Sequence, residues 1–364
     1  MKTVTARESG SPPVPIRVGS SAGAAKQISE ERRMNVRKGP VVVIGSINMD
    51  LVCRTERMPA AGETIIGRGL ATIPGGKGAN QAVAAAKLGA DVHLVGRVGD
   101  DDFGARMLTG LRQHKVDVRH VTVTEGCPSG CAVILVDKRG ENSIVVTPGA
   151  NHRVTPADVD KAEALIKRAS VVVMQLELPL ETVQHAVAVC QRLGVMTVLD
   201  PAPVPPRGLP RALFEVDVLT PNQREAEALL PAGRMGRMQR TKRVDAKQIG
   251  SELLSRGPRA VVLKLAARGA VVVARPMDEP EEGARRVASR DDVQIEQVPP
   301  IKVKVVDTTA AGDAFTAALA VALSEGRGLG EAARFANAAG AVCCESFGAQ
   351  PSLPTREAVE RLVR

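Results

Sequence analysis

Short runs of apolar, largely β-branched residues recur along this chain, with helix-patterned segments between them. VVVIG (41–45), HLVGRVG (93–99), VVVMQLE (171–177), VMTVLD (195–200), DVLT (217–220) and AVVLKL (260–265) read as strands, being short and rich in valine. ANQAVAAAKLG (79–89), FGARMLTGLRQH (103–114) and ETVQHAVAVCQRLG (181–194) read as helices. In the first of these, Ala79, Ala82, Val83 and Ala86 recur at helical spacing and so share one face. A strand that is apolar at every position must be covered on both faces. That requirement points to an α/β protein with a mostly parallel central sheet between helical layers.

Two segments break the alternation. TERMPAAGETIIGRGLATI (55–73) and VTVTEGCPSGCAVILVDKRGENSIVVT (121–147) read as short strands joined by turns. They form a small antiparallel flap, expected over the C-terminal edge of the main sheet, where open α/β sheets bind ligands. RPMDEPEEGARRVASRDD (275–292) is a charged excursion with no apolar period and carries no functional expectation.

The 364 residues, 44% of them apolar, can bury a large core in one big α/β domain or two ordinary ones. No apolar run approaches the roughly 20 residues that span a bilayer, so no membrane partner is expected. The net charge of +9 is partly concentrated in residues 1–39, where eight basic residues face three acidic ones among Ser, Gly and Pro. That extension reads either as a solvated, disordered tail or as an organelle transit segment, and Met34 is an alternative start. RMGRMQRTKR (234–243) reads as a solvated loop. A basic chain could bind nucleic acid, but single-strand readers stack bases on aromatic rings, and this chain has five Phe and no Trp or Tyr. Nucleic acid is therefore not an expected partner. The six cysteines lack C-x-x-C spacing and the five histidines form no H-x-x-x-H pair, which argues against structural zinc. Free thiols in a reducing cytoplasm are the default.

IPGGKGANQ (73–81) sets a lysine among glycines before a helix, as a phosphate cradle would. The P-loop, however, needs glycine where Ala71 stands and a hydroxyl where Gly78 stands, so that reading fails. DTTAAGDAFTAALAVAL (307–323) is the better anion site. It follows IKVKVV (301–306), which reads as a strand, and it starts a helix near Ala311 on whose face Phe315, Ala318, Leu319 and Ala322 recur. Small residues at a helix N-terminus let backbone amides approach an anion in a favourable dipole field. The same field keeps Asp313 ionised. That carboxylate is either a proton acceptor for a hydroxyl attacking a γ-phosphate or a residue that merely caps the helix.

Taken in order, GSINMDL (45–51), GGKGANQAVAAAKLGA (75–90), GRVGDDDFG (96–104), MQLELP (174–179), PNQREAE (221–227), DTTAAGDAF (307–315) and GAQPS (348–352) resemble the ribokinase-like sugar kinases. The match runs from about residue 40 to the C-terminus, and two of these stretches are the long signatures of that family. The resemblance implies a three-layer α/β/α kinase domain over 40–364 with a small antiparallel β flap, or lid, from about 47–73 and 121–147. It further implies ATP-dependent phosphorylation of the 5-hydroxyl of D-ribose, with Mg²⁺ and activation by K⁺.

By the same resemblance Asp313 is the catalytic base, and the amides of Ala310, Ala311 and Gly312 form the anion hole. Asn48, Asp50, Gly76, Lys77, Asn80 and Glu177 bind the sugar. Such a set suits a polyol, whose hydroxyls pair with amides and carboxylates. Asn222 and Glu225, at N-x-x-E spacing, fall near Mg²⁺ and the phosphates. Asp307, Thr309, Cys343, Ser346, Gly348 and Ser352 fall on the K⁺ site, where backbone carbonyls supply much of the coordination and the Cys343 thiol packs in the core. The nucleotide loop departs from the family's T-x-G-x-x-G, reading Lys264, Leu265, Ala266, Ala267, Arg268, Gly269. Ala266 crowds the backbone there if glycine geometry is required, and Lys264 offers a compensating phosphate contact. Asn337 matches an adenine-side position.

Two alternatives remain open: a kinase of the same family acting on deoxyribose or another small sugar, and a catalytically silent sugar-binding protein. The flap edge TIIGRGLATI needs cover. Pairing of two flaps would supply it, and the resemblance likewise implies a homodimer.

Overall fold

A computed structural model describes residues 37–230, 245–275 and 293–363. The basic cluster at 234–243, the excursion after Arg275 and residues 1–36 lie outside the described residues.

The apolar runs assemble into one nine-stranded sheet. Its strands are β1 (Val41–Ile44), β4 (Val92–Gly99), β5 (Val116–Thr124), β8 (Val171–Met174), β9 (Met196–Leu199), β10 (Val218–Leu219), β11 (Ala260–Lys264), β12 (Ala270–Ala274) and β13 (Gln294–Val298), in the spatial order β13-β12-β11-β10-β9-β8-β1-β4-β5. All pairings are parallel except β11–β12 and β12–β13. Successive residues of β1 serve opposite cores: Val41 and Val43 join one cluster, Val42 and Ile44 the other. On the first face pack α1 (Lys77–Lys87), α2 (Asp102–Gln113), α6 (Ala311–Ser324) and α7 (Leu329–Cys343). On the second pack α3 (Leu180–Leu193), α4 (Gln223–Leu229) and α5 (Ala246–Leu254). This double coverage is why the strands are apolar throughout.

The lid is a four-stranded sheet in the order β3-β2-β6-β7, built from β2 (Asn48–Arg54), β3 (Gly69–Gly75), β6 (Gly130–Val136) and β7 (Asn142–Thr147). It differs from the expected flap in two ways. The pairing of β2 with β6 is parallel, so the sheet is mixed and not wholly antiparallel. Residues 121–124 belong to β5 of the main sheet, and no strand forms over 55–68.

IKVKVV (301–306) is also not a strand. It is an irregular segment with Val305 62% and Val306 57% exposed, tied down where the Val306 amide donates to the Cys344 carbonyl. Its alternation has the strand period, but a strand also needs a ladder partner, and the edge strand β13 is supplied by 294–298.

Candidate active site

The connection after β1 reaches β4 on one side, while β8 lies on the other, so the strand order reverses there. A crevice opens at the carboxyl ends of strands around such a reversal. Ser46, Asn48 and Asp50 follow β1, Gln175 and Glu177 follow β8, Asp200 follows β9, Asn222 follows β10 and Lys264 closes β11.

α1 enters this crevice through the glycines of GGKGANQ. Gly76 has φ +86, and a Cβ there would meet the Asn48 amide nitrogen at 2.6 Å, so only glycine suits the position. A Cβ on Gly78 would meet the Gly45 carbonyl carbon at 2.5 Å, which brings the first turn of α1 directly against the end of β1.

Asp313 sits in the first turn of α6 and is 6% exposed. Asn80 Nδ2 donates to its Oδ2 at 3.0 Å, and Gln81 Nε2 donates to its Oδ1 at 3.1 Å. Burial raises the carboxyl pKa to about 6; the Lys77 charge pulls it down, the Asp200 charge pushes it up, and the two amide donors lower it. A base poised near neutrality, aimed into a crevice, suits proton transfer from a hydroxyl. Its neighbour Ala310 has φ +60 and provides no side-chain cap, so α6 begins with an open turn. Ala311 N donates to Thr308 O at 3.3 Å. Among the described residues the Ala310 and Gly312 amides are not spent on other backbone groups, and these are the donors an anion can use.

The expected sugar-binding residues converge at the other end of the crevice. Glu177 Oε2 accepts from Ser46 Oγ at 2.5 Å and from the Lys77 amide at 3.3 Å. Asn48 Oδ1 accepts from Asn151 Nδ2 at 2.7 Å, and Asn151 is itself fixed to both polar groups of the Ile47 backbone. Burial, with the charges of Glu177 and Asp313, raises Asp50 to about 7. Burial opposes the charge on Lys77, but Asp313, Asp200, Glu177 and Glu225 outweigh it and hold the ammonium protonated above its usual range. Asn80 Oδ1 is buried and has no partner. A buried acceptor left open is costly, and a ligand hydroxyl would satisfy it.

On the nucleotide side, Asn222 caps α4 in a capping box. Its side chain accepts from the Glu225 amide while Glu225 takes the Asn222 amide and side chain. The N-x-x-E spacing thus serves as a capped helix start. Glu225 is raised by burial and by Asp200, against the pull of Lys264. Among the described residues no group of three or more His, Cys, Asp or Glu is arranged to hold a metal ion. Mg²⁺ fits such a place only through phosphates and waters with few protein oxygens, which is its common mode.

Lys264 Nζ pairs with Asp200 Oδ1 at 2.9 Å and lies 3.7 Å from where a Cβ on Gly312 would stand. Ala266 has φ +52, the left-handed region that favours glycine, so the departure at this position carries backbone strain of about 1–2 kcal/mol. Leu265, Ala267, Arg268 and Gly269 complete the tight connection to β12.

The expected K⁺ residues gather in part. Asp307 accepts from Thr309 N, Thr309 Oγ1 and Gly348 N. Burial works against its charge, but these donors outweigh burial and hold its pKa below the ordinary value. Cys343 Sγ donates to Thr309 O at 3.6 Å and lies 3.1 Å from Ser352 Oγ. Burial pushes that thiol up to about 11, so it stays neutral. An ionised carboxylate with carbonyl and hydroxyl oxygens is a donor set that suits a hard monovalent cation. Ser346 is exposed and stands outside this network, and Asn337 donates to Pro299 O.

Sequence reasoning passed over Ser46, Gln81, Asn151, Gln175 and Asp200. Gln175 and Asp200 had a local signal, since each is a polar residue immediately following an apolar strand.

Residues 38–356 match the pfkB family carbohydrate kinases, and the chain belongs to that family. The ribokinase of Bacillus subtilis is 39% identical over 323 residues, which cover 89% of this chain and 99% of that protein. The crystal structure of the Thermotoga maritima ribokinase superposes with a TM-score of 0.76 at 32% identity, covering 89% of this chain and 99% of that one. The Arabidopsis thaliana ribokinase complexed with ribose and ATP gives 0.74 at 30% identity, covering 90% and 99%.

Proposed function

We propose that this kinase phosphorylates the 5-hydroxyl of D-ribose with ATP, yielding D-ribose 5-phosphate and ADP, and that Asp313 is the base. The carrying observation is a buried carboxylate, raised to about 6, held between two amide donors at an open helix N-terminus. The sugar's O–H gives its proton to Asp313, the oxygen bonds to the γ-phosphorus, and the bond to the β–γ bridging oxygen breaks as ADP leaves. The amides of Ala310 and Gly312 would meet the charge on the transferring group, with Ala311 N joining them once it releases Thr308 O, and they act only where that charge develops.

Asn48, Asp50, Lys77, Asn80 and Glu177, with the Gly76 backbone, recognise the hydroxyls. Lys264 to Gly269 and Asn337 line the nucleotide side. Mg²⁺, near Asn222 and Glu225, would neutralise phosphate charge. K⁺, held by Asp307, Thr309, Gly348 and Ser352 with Cys343 and Ser346 adjacent, would fix the loop that leads into the anion hole. Free thiols at all six cysteines favour a reducing compartment such as the cytoplasm. Among the described residues no helix is long and apolar enough to cross a membrane.

The lid exposes Leu70 (72%), Val133 (45%) and Val145 (67%). Strand register puts these on one face, and this exposed apolar face, which a second copy would cover, supports a homodimer.

A panel of pentoses and hexoses in a coupled ADP-release assay tests the substrate. D-ribose is expected to give the highest kcat/KM. Equal or faster turnover of 2-deoxyribose would sink the ribose assignment while leaving the kinase reading intact.

A further inference from the structure

Gln81 lies one residue beyond the expected sugar ligand Asn80 and is fully buried. Its Nε2 donates to Asp313 Oδ1 at 3.1 Å and to Asp200 Oδ2 at 3.1 Å, so both amide hydrogens are committed to carboxylates. Its Oε1 accepts from Gln175 Nε2 at 2.6 Å. Asp200 is 2% exposed and is closed on its other side by Lys264 Nζ, which also lies 3.5 Å from Thr316 Oγ1. The ends of β8, β9 and β11 thus meet α1 and α6 in one buried polar chain running Gln175, Gln81, Asp313 and Asp200, with Lys264 at its end.

We propose that Gln81 is a positioning residue for phosphoryl transfer, fixed by Gln175 and anchored on the Asp200–Lys264 ion pair so that its amide aims the Asp313 carboxylate. The proposal rests on Asp313 being the base. An amide turned the other way would point its oxygen at two carboxylates, so the geometry permits one orientation only. Gln175 enforces it, and does so with its own Oε1 buried and unpartnered. A buried acceptor is rarely left open without a reason, and the orientation that strands this one is the orientation that presents Nε2 to Gln81. Asn80 holds the second oxygen of Asp313. Two donors from consecutive residues of one helix turn therefore fix the carboxylate plane.

The titratable groups around Asp313 are Lys77 on α1, Asp50 on β2, Asp200 after β9 and the neutral thiol of Cys343 on α7. Glu177, Glu225 and Lys264 stand one step further out, coupled through Asp50, Asp200 and Lys77. Within this set Gln81 favours the ionised base and Asp200 disfavours it. Removing the two should therefore move the pH profile in opposite directions.

The test compares wild type, Gln81→Met, Gln175→Met and Asp200→Asn, with folding followed by circular dichroism and thermal melts. Profiles of kcat/KM for ATP are read at saturating sugar, so that Asp50 is occupied. A general base contributes ~10²–10⁴-fold, so misaligning it in Gln81→Met should lower kcat on the order of 10–100-fold. KM should change little, the signature of an interaction made in the transition state. The acid limb should rise in Gln81→Met, rise less in Gln175→Met, which does not touch Asp313, and fall in Asp200→Asn. A general structural defect would lower the active fraction without opposite limb shifts. Wild-type kcat in folded Gln81→Met overturns the proposal, as does an acid limb unmoved in Asp200→Asn. If Gln81→Met does not fold, the remaining two variants decide by the same criterion. Asp313→Asn separates the underlying reading: turnover retained there removes the base, whereas a dead Asp313→Asn beside an unaffected Gln81→Met removes only the role of Gln81.

Discussion

Asp313 is the residue on which stability and activity oppose each other. Its carboxyl pKa is raised from 3.8 to about 6 in the folded chain, with burial as the largest cause. Ionising it therefore works against folding: the cost is absent below the unfolded value and grows as pH rises through about 6. Asp313→Asn never carries that charge. Its side-chain NH₂ can donate to Asn80 Oδ1 if the Asn80 amide turns over, which puts the Asn80 NH₂ where the unpartnered oxygen now lies. The expected outcome is loss of turnover by ~10²–10⁴-fold with ribose binding retained by calorimetry. The melting temperature should equal or exceed wild type at pH 8, and the gap should narrow towards pH 5. Retained turnover would remove Asp313 as the base, and a lower melting temperature at pH 8 would contradict the burial account. This residue was legible in the sequence because the A-G-D turn joins small residues, a carboxylate and a helix start in seven positions. Gln81 was not, because its partners are carboxylates more than a hundred residues away in the chain, and Asp200 showed only as a polar residue ending an apolar strand, with nothing local to tie it to Gln81.

Among the elements, those defined by local periodicity were read correctly, and those defined by pairing were not. α1, α2, α3 and α6 fall within two residues of the segments their apolar spacing marks, and β1, β4, β8, β9, β10 and β11 fall on the valine-rich runs. IKVKVV has a strand's alternation but no partner, and the parallel register of β2 with β6 joins segments some eighty residues apart. Neither fact is written in a local pattern. The lid's exposed face makes a prediction at this scale. Leu70, Val133 and Val145 lie on the opposite face from Asp50, so charging them need not disturb the sugar ligands. Light scattering at micromolar concentration should give twice the chain mass for wild type. Val133→Lys combined with Val145→Lys should give the monomer with its circular dichroism unchanged. A monomeric wild type would contradict the dimer.

Across the whole molecule, charge is distributed against the chain's own average. The sequence carries +9, yet the crevice gathers Asp50, Glu177, Asp200, Glu225 and Asp313 around Lys77 and Lys264, so carboxylates outnumber ammonium groups there. A nucleotide triphosphate entering that field meets carboxylates as well as amides, and at an effective dielectric near 20 two like charges about 4 Å apart repel by roughly 4 kcal/mol. Two lysines already committed among these acids leave much of a polyanion's charge unmet, and the proposed Mg²⁺, arriving with the nucleotide, would meet it. A chelator should therefore abolish turnover, and added Mg²⁺ should restore it, while ribose affinity measured by calorimetry stays within about twofold because the hydroxyl ligands make no use of the metal. Full turnover in chelated protein would show that the lysines and the α6 amides suffice alone. Loss of ribose binding on chelation would instead place a metal in the sugar half of the crevice, among Asp50 and Glu177.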